Sequence, residues 1–231
     1  MPTLAYAEIK GIVFDLDGTL YVCDRFAAEI QDAAAAYIAG LKRITPAEAG
    51  LIMTATRQRL TEESGTVQTL SAVCTELGGS VQELHHFFER TLRPEALLVR
   101  DERVIQLMKR LSESFSLYIY TNNNRVLTAR IMNYLGLDGV VCGTFTIDDT
   151  WQGKPDEGMV QRVLEKIGLS PHEALFVGDR YDIDLRIPEQ LGCPVYLSQN
   201  LEQLLRLEEV LTPSLFAGRT AVPACPPAAQ S

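Results

Sequence analysis

Short apolar runs recur along the chain, and most of them contain Val, Ile, Phe or Tyr with little polar alternation. Such runs are typical of parallel strands that are covered on both faces of a sheet. Five runs predict strands, at residues 11–14, 117–121, 140–143, 174–179 and 194–197.

Helical patterns alternate with these runs from about residue 100 onward. One begins at Asp101, a plausible N-cap, another ends at Gly136, and a third lies between Pro155 and Gly168. Pro188 predicts a further helix that is bent or begins near that residue. Strand–helix alternation of this kind predicts an α/β fold with a doubly wound parallel sheet.

Residues 24–94 have a different pattern, with four helical segments and no convincing strand. Helix starts are indicated by Ser80 with Glu83 and by Thr45 with Glu48. We therefore predict an all-helical insert after the first strand.

The domain boundaries follow from these patterns. Residues 1–23 and 95–211 form the predicted core, with the insert at residues 24–94. The Pro- and Ala-rich segment 212–231 is predicted to be a disordered tail.

Composition and charge narrow the classes of function. The chain has 231 residues, 46% of them hydrophobic and 22% charged, which is typical of a globular protein. A formal net charge of -9 argues against nucleic acid or an anionic membrane as a partner, although a local anion site remains compatible with it.

Cellular location is predicted from the cysteines and from apolar segments. The five cysteines form no Cys-x-x-Cys pair, which favours reduced thiols over a disulfide framework or a zinc site. No early apolar segment follows a basic start, and no run reaches the roughly 18 residues of a membrane span. We therefore predict a cytoplasmic protein without a signal peptide.

Polar residues follow the predicted strands at the edge of the sheet where ligands collect in doubly wound folds. They are Asp15 and Asp17 after the first strand, Thr121 and Asn122 after the second, Lys154 beyond the third, and Asp179, Asp182 and Asp184 after the fourth. We expect these side chains to converge.

Converging carboxylates would repel one another. Two unit charges ~4 Å apart cost roughly 4 kcal/mol at an effective dielectric constant of 20. A divalent cation removes this cost, and Mg²⁺ prefers one or two carboxylates together with waters and a phosphate oxygen. An aspartate beside such a phosphate can act as a nucleophile, and a second one can transfer protons. These residues therefore indicate phosphoryl chemistry.

Four segments, "DLDGTLY", "YTN", "GKPD" and "GDRYDID", resemble the signature segments of the haloacid dehalogenase-like (HAD) hydrolases in order and spacing. The resemblance extends from residue 9 to about residue 197. It implies a Rossmann-like core, a Mg²⁺ cofactor and an aspartyl-phosphate intermediate.

The resemblance also implies a role for each matching residue. Asp15 would be the nucleophile and a metal ligand. Asp17 would be the general acid and base, and its backbone carbonyl would also bind the metal. Thr121 and Asn122 would hold the phosphoryl group, and Lys154 would neutralise charge on Asp15 and the phosphate.

The last segment would complete the metal site. Asp179 would be a direct ligand, and Asp184 would hold a metal-bound water. Asp182 fits neither of the family's usual spacings and is left as an outer-shell partner.

The insert matches the position of a helical cap, which would exclude water and select the substrate. Arg57 and Arg59 could reach a distal charge of the substrate, although a solvated helix face is the favoured interpretation for both. We expect His85 to be a satisfied or exposed helix histidine and Trp151 to be a packing residue.

We predict from these features a Mg²⁺-dependent phosphatase of small phosphomonoesters, such as a nucleoside monophosphate or phosphoglycolate. Asp17 separates it from the dehalogenases of the same superfamily, because halide departure needs no proton. The alternatives are a phosphomutase and a non-catalytic binding module on the same fold. The sequence leaves open whether the protein is a monomer or a homodimer.

Overall fold

The parallel sheet is the framework of the protein, of which a computed structural model describes residues 8–215. Its five strands are β1 (Gly11–Phe14), β2 (Ser116–Tyr120), β3 (Gly143–Phe145), β4 (Ala174–Gly178) and β5 (Val195–Leu197). They lie in the order β3-β2-β1-β4-β5, and all neighbours are parallel. Every residue of β1, β2 and β4 is buried, which confirms the predicted α/β sheet.

The third strand lies three residues later than predicted. The apolar residues Val140 and Val141 precede it and pack, partly buried, against the core. Strand β3 is at the sheet edge and pairs only with β2. Thr144 in its centre is exposed. An edge strand needs fewer apolar residues than a central one, and for this reason the apolar run marked its position imprecisely.

Four helices form the insert between β1 and β2. They are α1 (Asp24–Lys42), α2 (Pro46–Ser64), α3 (Leu70–Glu76) and α4 (Val81–Thr91). Thr45 and Glu48 form the capping box predicted for α2. Ser80 caps α4 by accepting a hydrogen bond from the Glu83 N–H, while the Glu83 side chain accepts one from Tyr37.

Six helices accompany the remaining strands. They are α5 (Glu102–Ser112), α6 (Arg125–Leu135), α7 (Glu157–Ile167), α8 (Arg186–Gln190), α9 (Leu201–Leu205) and α10 (Leu207–Leu215). The side chains of Asp101, Asn124 and Asp156 cap α5, α6 and α7. Helix α10 continues to Leu215, into the segment predicted as a disordered tail, and residues 216–231 lie outside the described part of the chain.

The apolar core has two parts, one on each face of the sheet. Alternate residues of β1 divide between them, because Ile12 and Phe14 face one part and Val13 faces the other. The larger part also contains Phe26 and Leu84 of the insert. Insert and sheet therefore share a continuous apolar cluster, which fixes the helices above one face of the core.

Three cysteines, Cys23, Cys74 and Cys193, are free thiols, as predicted. Cys142 is disulfide-bonded, so the prediction of reduced thiols is wrong at this position.

Between residues 8 and 215, none of the helices combines the length and the apolar character that crossing a bilayer requires.

Candidate active site

The carboxyl ends of three central strands position the candidate site. Asp15 directly follows β1, Thr121 follows β2 and Asp179 follows β4. From β1 the chain continues to β2 on one side and later returns to β4 on the other. Doubly wound sheets bind ligands where the strand order reverses in this way, and the polar residues therefore lie at the expected place.

Lys154 joins two buried carboxylates. Its Nζ donates to Oδ1 of Asp15 at 2.6 Å and to Oδ1 of Asp184 at 2.7 Å. The three residues are between 2% and 5% exposed, so solvent barely screens these charge-assisted hydrogen bonds. The Lys154 backbone N–H donates to Oδ1 of Asn122 at 2.6 Å, which anchors the lysine loop to the end of β2.

Asp15, Asp179 and Asp184 form an acidic cluster in which one carboxylate oxygen of each lies within 4.8 Å of the others. Oδ1 of Asp179 is buried and has no hydrogen-bond partner among the described residues. Its nearest cation is Nε of Arg180, at 3.7 Å. Burying a carboxylate oxygen without a hydrogen bond is unfavourable, and a divalent cation would relieve this cost. The donor set is entirely oxygen, which fits Mg²⁺.

Gly18 allows this close approach. It has a φ of +88°, in the left-handed region that favours glycine, and a Cβ there would lie 2.5 Å from Oδ2 of Asp179. Any other residue after the Asp17 position would displace a carboxylate of the cluster.

Burial alters the acidity of the cluster. It raises the pKa of Asp15 to about 7, an effect that Lys154 opposes and Asp184 increases. It raises the pKa of Asp179 to about 6, although the nearby Arg180 opposes the shift. Protons therefore compete with a cation for these oxygens near neutral pH.

Asp17 lies beside the cluster and is held by three donors. Tyr21 donates its hydroxyl to Oδ1, Asn123 donates Nδ2 to Oδ2 at 2.6 Å, and Thr121 donates Oγ1 to Oδ2 at 3.4 Å. Burial raises the pKa of Asp17, and the hydrogen bond from Tyr21 opposes this shift. A raised pKa suits a carboxylic acid that must give up and regain a proton.

The structure divides the remaining predicted residues into two groups. Thr121 is buried with its hydroxyl at Asp17, and Asn122 contacts the Lys154 backbone, so both belong to the site. Asp182 is exposed, whereas Asp184, two residues later, is buried in the cluster. The exposure of Asp182 does not support the suggested outer-shell role.

Asn123 and Tyr21 are site residues that sequence reasoning missed. The next residue, Asn124, caps α6, whereas the Asn123 side chain donates to Asp17. The signal for Asn123 was its place two residues after the strand-end Thr121. Nothing in the sequence indicated that Tyr21 would turn back to Asp17.

Two cavities adjoin these groups. The first cavity, of about 330 Å³, is lined by the loop after β1, the start of α1 and Asp179. The second cavity, of about 170 Å³, lies between α1, α3 and α4 and the core residues Asn122 and Asn123. Ile30 and Arg180 line both. Insert and core thus enclose the space in front of the carboxylates.

The insert residues Arg57 and Arg59 have different surroundings. Arg59 forms exposed ion pairs with Glu63 and Glu76, as expected for a solvated helix face. Arg57 is half-buried, and its Nη2 donates to Oε1 of Gln31 at 3.2 Å. Arg57 thus contacts Gln31, a residue that lines the second cavity, although Arg57 itself is not among the lining residues.

His85 is buried and lines the second cavity. The prediction of a satisfied or exposed histidine is wrong, because neither ring nitrogen has a hydrogen-bond partner among the described residues. The helix face of α4 turns it toward the core, where Trp151 and Phe88 pack against it, at ring-centroid distances of 6.5 and 5.4 Å.

Comparisons with known proteins agree with this arrangement. A family model described as haloacid dehalogenase-like hydrolase matches residues 9–192. A curated relative, Pyrophosphatase PpaX from Bacillus pumilus (strain SAFR-032), is 31% identical over 114 residues, which cover 49% of this chain and 52% of the relative. The match thus spans about half the length of that relative.

Solved structures share the fold at low identity. A HAD phosphatase from Thermococcus onnurineus has a TM-score of 0.60 and 19% identity, with 88% of this chain and 98% of that chain covered. A 2-haloacid dehalogenase from Pseudomonas syringae pv. Tomato DC3000 has a TM-score of 0.59, 20% identity and the same coverage, 88% and 98%. YfnB from Bacillus subtilis, a putative HAD hydrolase bound to magnesium, has a TM-score of 0.55 and 22% identity, with 89% and 99% covered. The fold is therefore common to phosphatases and dehalogenases and does not decide between them.

Proposed function

Since the chain belongs to the haloacid dehalogenase-like hydrolase family, we propose that it is a Mg²⁺-dependent phosphatase of a small phosphorylated metabolite. The observation that carries this proposal is the set formed by buried Asp15, Asp184 and Lys154 and partly buried Asp179, with Asp17 beside it. The Asp15 carboxylate is paired with the buried ammonium group of Lys154. The Asp17 carboxylate has a raised pKa and accepts hydrogen bonds from other side chains, including Asn123.

The acidic cluster would hold the cation. Asp15 and Asp179 would coordinate it directly, with the Asp17 backbone carbonyl as a further ligand and Asp184 binding through a water. Bound Mg²⁺ would neutralise the carboxylates and the phosphate. The support is the unpaired Oδ1 of Asp179, together with the magnesium named for the YfnB structure.

The residues have complementary roles in the two halves of the reaction. A carboxylate oxygen of Asp15 forms a bond to phosphorus while the ester P–O bond breaks, and Asp17 donates its proton to the leaving oxygen. Water then attacks the aspartyl phosphate, Asp17 takes its proton, and the bond from phosphorus to Asp15 breaks. Lys154 stays paired with Asp15 and limits the build-up of negative charge.

Asp17 favours phosphate hydrolysis over dehalogenation. An alkoxide or phosphate leaving group needs a proton, whereas a halide leaves as a stable anion. The elements around Asp17 orient both of its oxygens through Tyr21, Asn123 and Thr121.

We propose that the helical insert, residues 24–94, serves as a cap over the core formed by residues 1–23 and 95–211. Its helices α1, α3 and α4 line the second cavity above the strand ends. Nδ2 of the core residue Asn124 also donates to the His85 backbone carbonyl at 3.0 Å, which ties α4 to the start of α6. A cap in this position would exclude water and contact the leaving group.

The substrate class is small phosphate compounds. The sequence points to phosphomonoesters, and the relative described as a pyrophosphatase adds pyrophosphate to the compounds that should be tested. The phosphomutase alternative would require a cap that retains the phosphorylated intermediate and excludes water.

We propose a cytoplasmic location for the protein, as the sequence predicts.

Phosphate release tests the proposal. The protein is incubated with p-nitrophenyl phosphate, pyrophosphate, phosphoglycolate and nucleoside monophosphates, with Mg²⁺ and then with EDTA. We expect Mg²⁺-dependent release from at least one compound and none from an Asp15→Asn variant. Equal release by that variant would refute the role of Asp15, and no release from any compound would refute the phosphatase.

A further inference from the structure

The second cavity differs from the first in charge. Three carboxylates, of Asp17, Asp24 and Asp179, line the first cavity. The described residues that line the second include no aspartate or glutamate, while Arg180 contributes a positive charge. Arg180 lines both cavities, so the second favours an anionic group by itself, whereas the first would need a bound cation to offset its three carboxylates.

The guanidinium of Arg180 has N–H donors that are available to bind a ligand. Its Nε lies 3.7 Å from Oδ1 of Asp179 and 3.9 Å from Oδ2 of Asp184. Both distances are too long for a hydrogen bond, although they are close enough for electrostatic attraction. The guanidinium has five N–H donors in a planar fork that matches a carboxylate or phosphate.

Arg57 adds a second guanidinium near Arg180, although it does not itself line the cavity. Its Nη2 donates to Gln31 on the cavity wall, and its Nε is buried without a hydrogen-bond partner among the described residues. Burial lowers the pKa of Arg57, and the charge of Arg180 lowers it further, so the two cations lie within electrostatic range. Two neighbouring guanidinium groups repel each other unless an anion lies between them.

His85 adds a neutral donor. It is 3% exposed and lines the cavity, and both ring nitrogens lack partners among the described residues. Burial lowers its pKa to about 4, so the ring is uncharged at neutral pH and offers one N–H and one acceptor. Leaving such a group unpaired is unfavourable, and a polar ligand atom would satisfy it.

The second cavity is also next to the proton donor. Asn123 lines it and donates to Oδ2 of Asp17 at 2.6 Å, while Asn122 lines it and contacts the Lys154 backbone. A leaving group that takes its proton from Asp17 can therefore extend into this cavity.

We propose that the second cavity binds a second anionic group carried by the leaving group of the substrate, and that Arg57, Arg180 and His85 determine this specificity. The inference rests on the proposed phosphatase function and names the substrate class within it. The substrate is a small phosphate compound whose leaving group bears a carboxylate or a phosphate.

The size of the second cavity supports a small substrate. About 170 Å³ is well below the ~300–1,000 Å³ of pockets for larger ligands. A carboxylate or phosphate with one or two carbons fits this space, whereas a nucleoside is too large. Nucleoside monophosphates are therefore disfavoured among the substrates considered from the sequence.

Binding of phosphonates that cannot be hydrolysed tests the inference without catalysis. Methylphosphonate carries no second anion, phosphonoacetate adds a carboxylate, and methylenediphosphonate adds a phosphonate. Titration calorimetry at constant free Mg²⁺ should show that one of the latter two binds about tenfold or more tightly than methylphosphonate. Which one does so identifies the second anion as carboxylate or phosphate.

Matched variants identify the residues responsible. Arg57→Gln and Arg180→Gln should each remove most of the tenfold preference. Arg59→Gln is the control, because Arg59 lies on the same helix as Arg57 but pairs with Glu63 and Glu76. It should retain the preference.

Two results would overturn the inference. One is equal affinity for all three phosphonates in the wild-type protein. The other is an equal loss for all three in the Arg57→Gln and Arg180→Gln variants. Binding preference without Mg²⁺-dependent phosphate release from any compound would instead refute the phosphatase and leave an anion-binding cavity, so the two failures are distinguishable.

Discussion

The acidic cluster and the second cavity differ in how far their buried polar groups are paired within the protein. In the cluster, Nζ of Lys154 lies 2.6 and 2.7 Å from carboxylate oxygens of Asp15 and Asp184, so these two side chains are paired without a substrate. At the second cavity, His85 lines the wall and Arg57 contacts the wall residue Gln31, and both keep nitrogens without partners among the described residues. The difference indicates that the core is prepared for its chemistry before substrate arrives, whereas the insert surface is completed by the substrate.

Replacing the central cation should have the largest effect. Lys154→Met keeps the apolar stem but leaves Asp15 and Asp184 facing each other without compensation. Removing one partner of a buried ion pair typically costs about 3–5 kcal/mol of stability. We expect a loss of this order in urea unfolding without metal, together with a fall in kcat of about 10³-fold or more. Wild-type stability and turnover would show that the pairing is incidental.

Removing the unpaired carboxylate should separate metal binding from folding. Asp179→Asn eliminates a partly buried charge whose Oδ1 has no hydrogen-bond partner among the described residues and only a 3.7 Å ion pair with Arg180. We expect the metal-free variant to have a Tm equal to or above that of wild type, and to lose the rise in Tm that Mg²⁺ produces. Thermal scans with Mg²⁺ and with EDTA measure both. An unchanged rise with Mg²⁺ would exclude Asp179 from the metal site.

The dependence of stability and Mg²⁺ affinity on pH tests the acidic cluster as a whole. The folded pKa values of Asp15 and Asp179, about 7 and about 6, are above the ordinary 3.8. The folded metal-free protein therefore holds protons that the unfolded chain has lost, so its stability falls as pH rises from about 4 to about 7. Mg²⁺ affinity should rise over the upper part of that range, because the cation displaces these protons.

Titration calorimetry with Mg²⁺ between pH 5.5 and 8 checks this expectation. We expect affinity to increase by about tenfold or more, with proton release that is largest near the lower pH values. An affinity independent of pH would show that the cluster is ionised before the cation binds.

A substitution in the insert should have a smaller effect and should increase stability, in contrast to Lys154→Met. His85→Leu replaces two unpartnered ring nitrogens with an apolar side chain. An unsatisfied buried polar group costs about 1–3 kcal/mol, so the variant should be more stable by an amount within this range. It should also bind phosphonoacetate or methylenediphosphonate more weakly. A destabilised variant would mean that His85 contributes to packing rather than to ligand binding.

The sequence predicted which core side chains converge, because their positions at the ends of neighbouring strands follow from the order of residues along the chain. Asp15 and Asp179 directly follow buried strands, and the parallel arrangement of neighbouring strands brings such positions together. The partners Tyr21 and Asn123 were not predicted. Their contacts with Asp17 depend on side-chain rotamers and on how two loops meet, which no periodic pattern encodes.

The orientation of the insert was harder to predict. Helix α2 buries only Ala49, Met53 and Thr56, so its apolar stripe is too weak to show which face turns inward. The sequence could not distinguish Arg57 from Arg59 for this reason. Packing of α2 against α1 places Arg57 beside Gln31 and leaves Arg59 in solvent.

A crystal structure of the protein with MgCl₂ and aluminium fluoride, a mimic of the transferring phosphoryl group, tests the central claim most directly. We predict a cation bound among Asp15, Asp179 and Asp184, and the mimic in line with a carboxylate oxygen of Asp15 within reach of Lys154. Both ligands bound elsewhere, or a cluster that stays closed around Lys154 alone, would contradict the account.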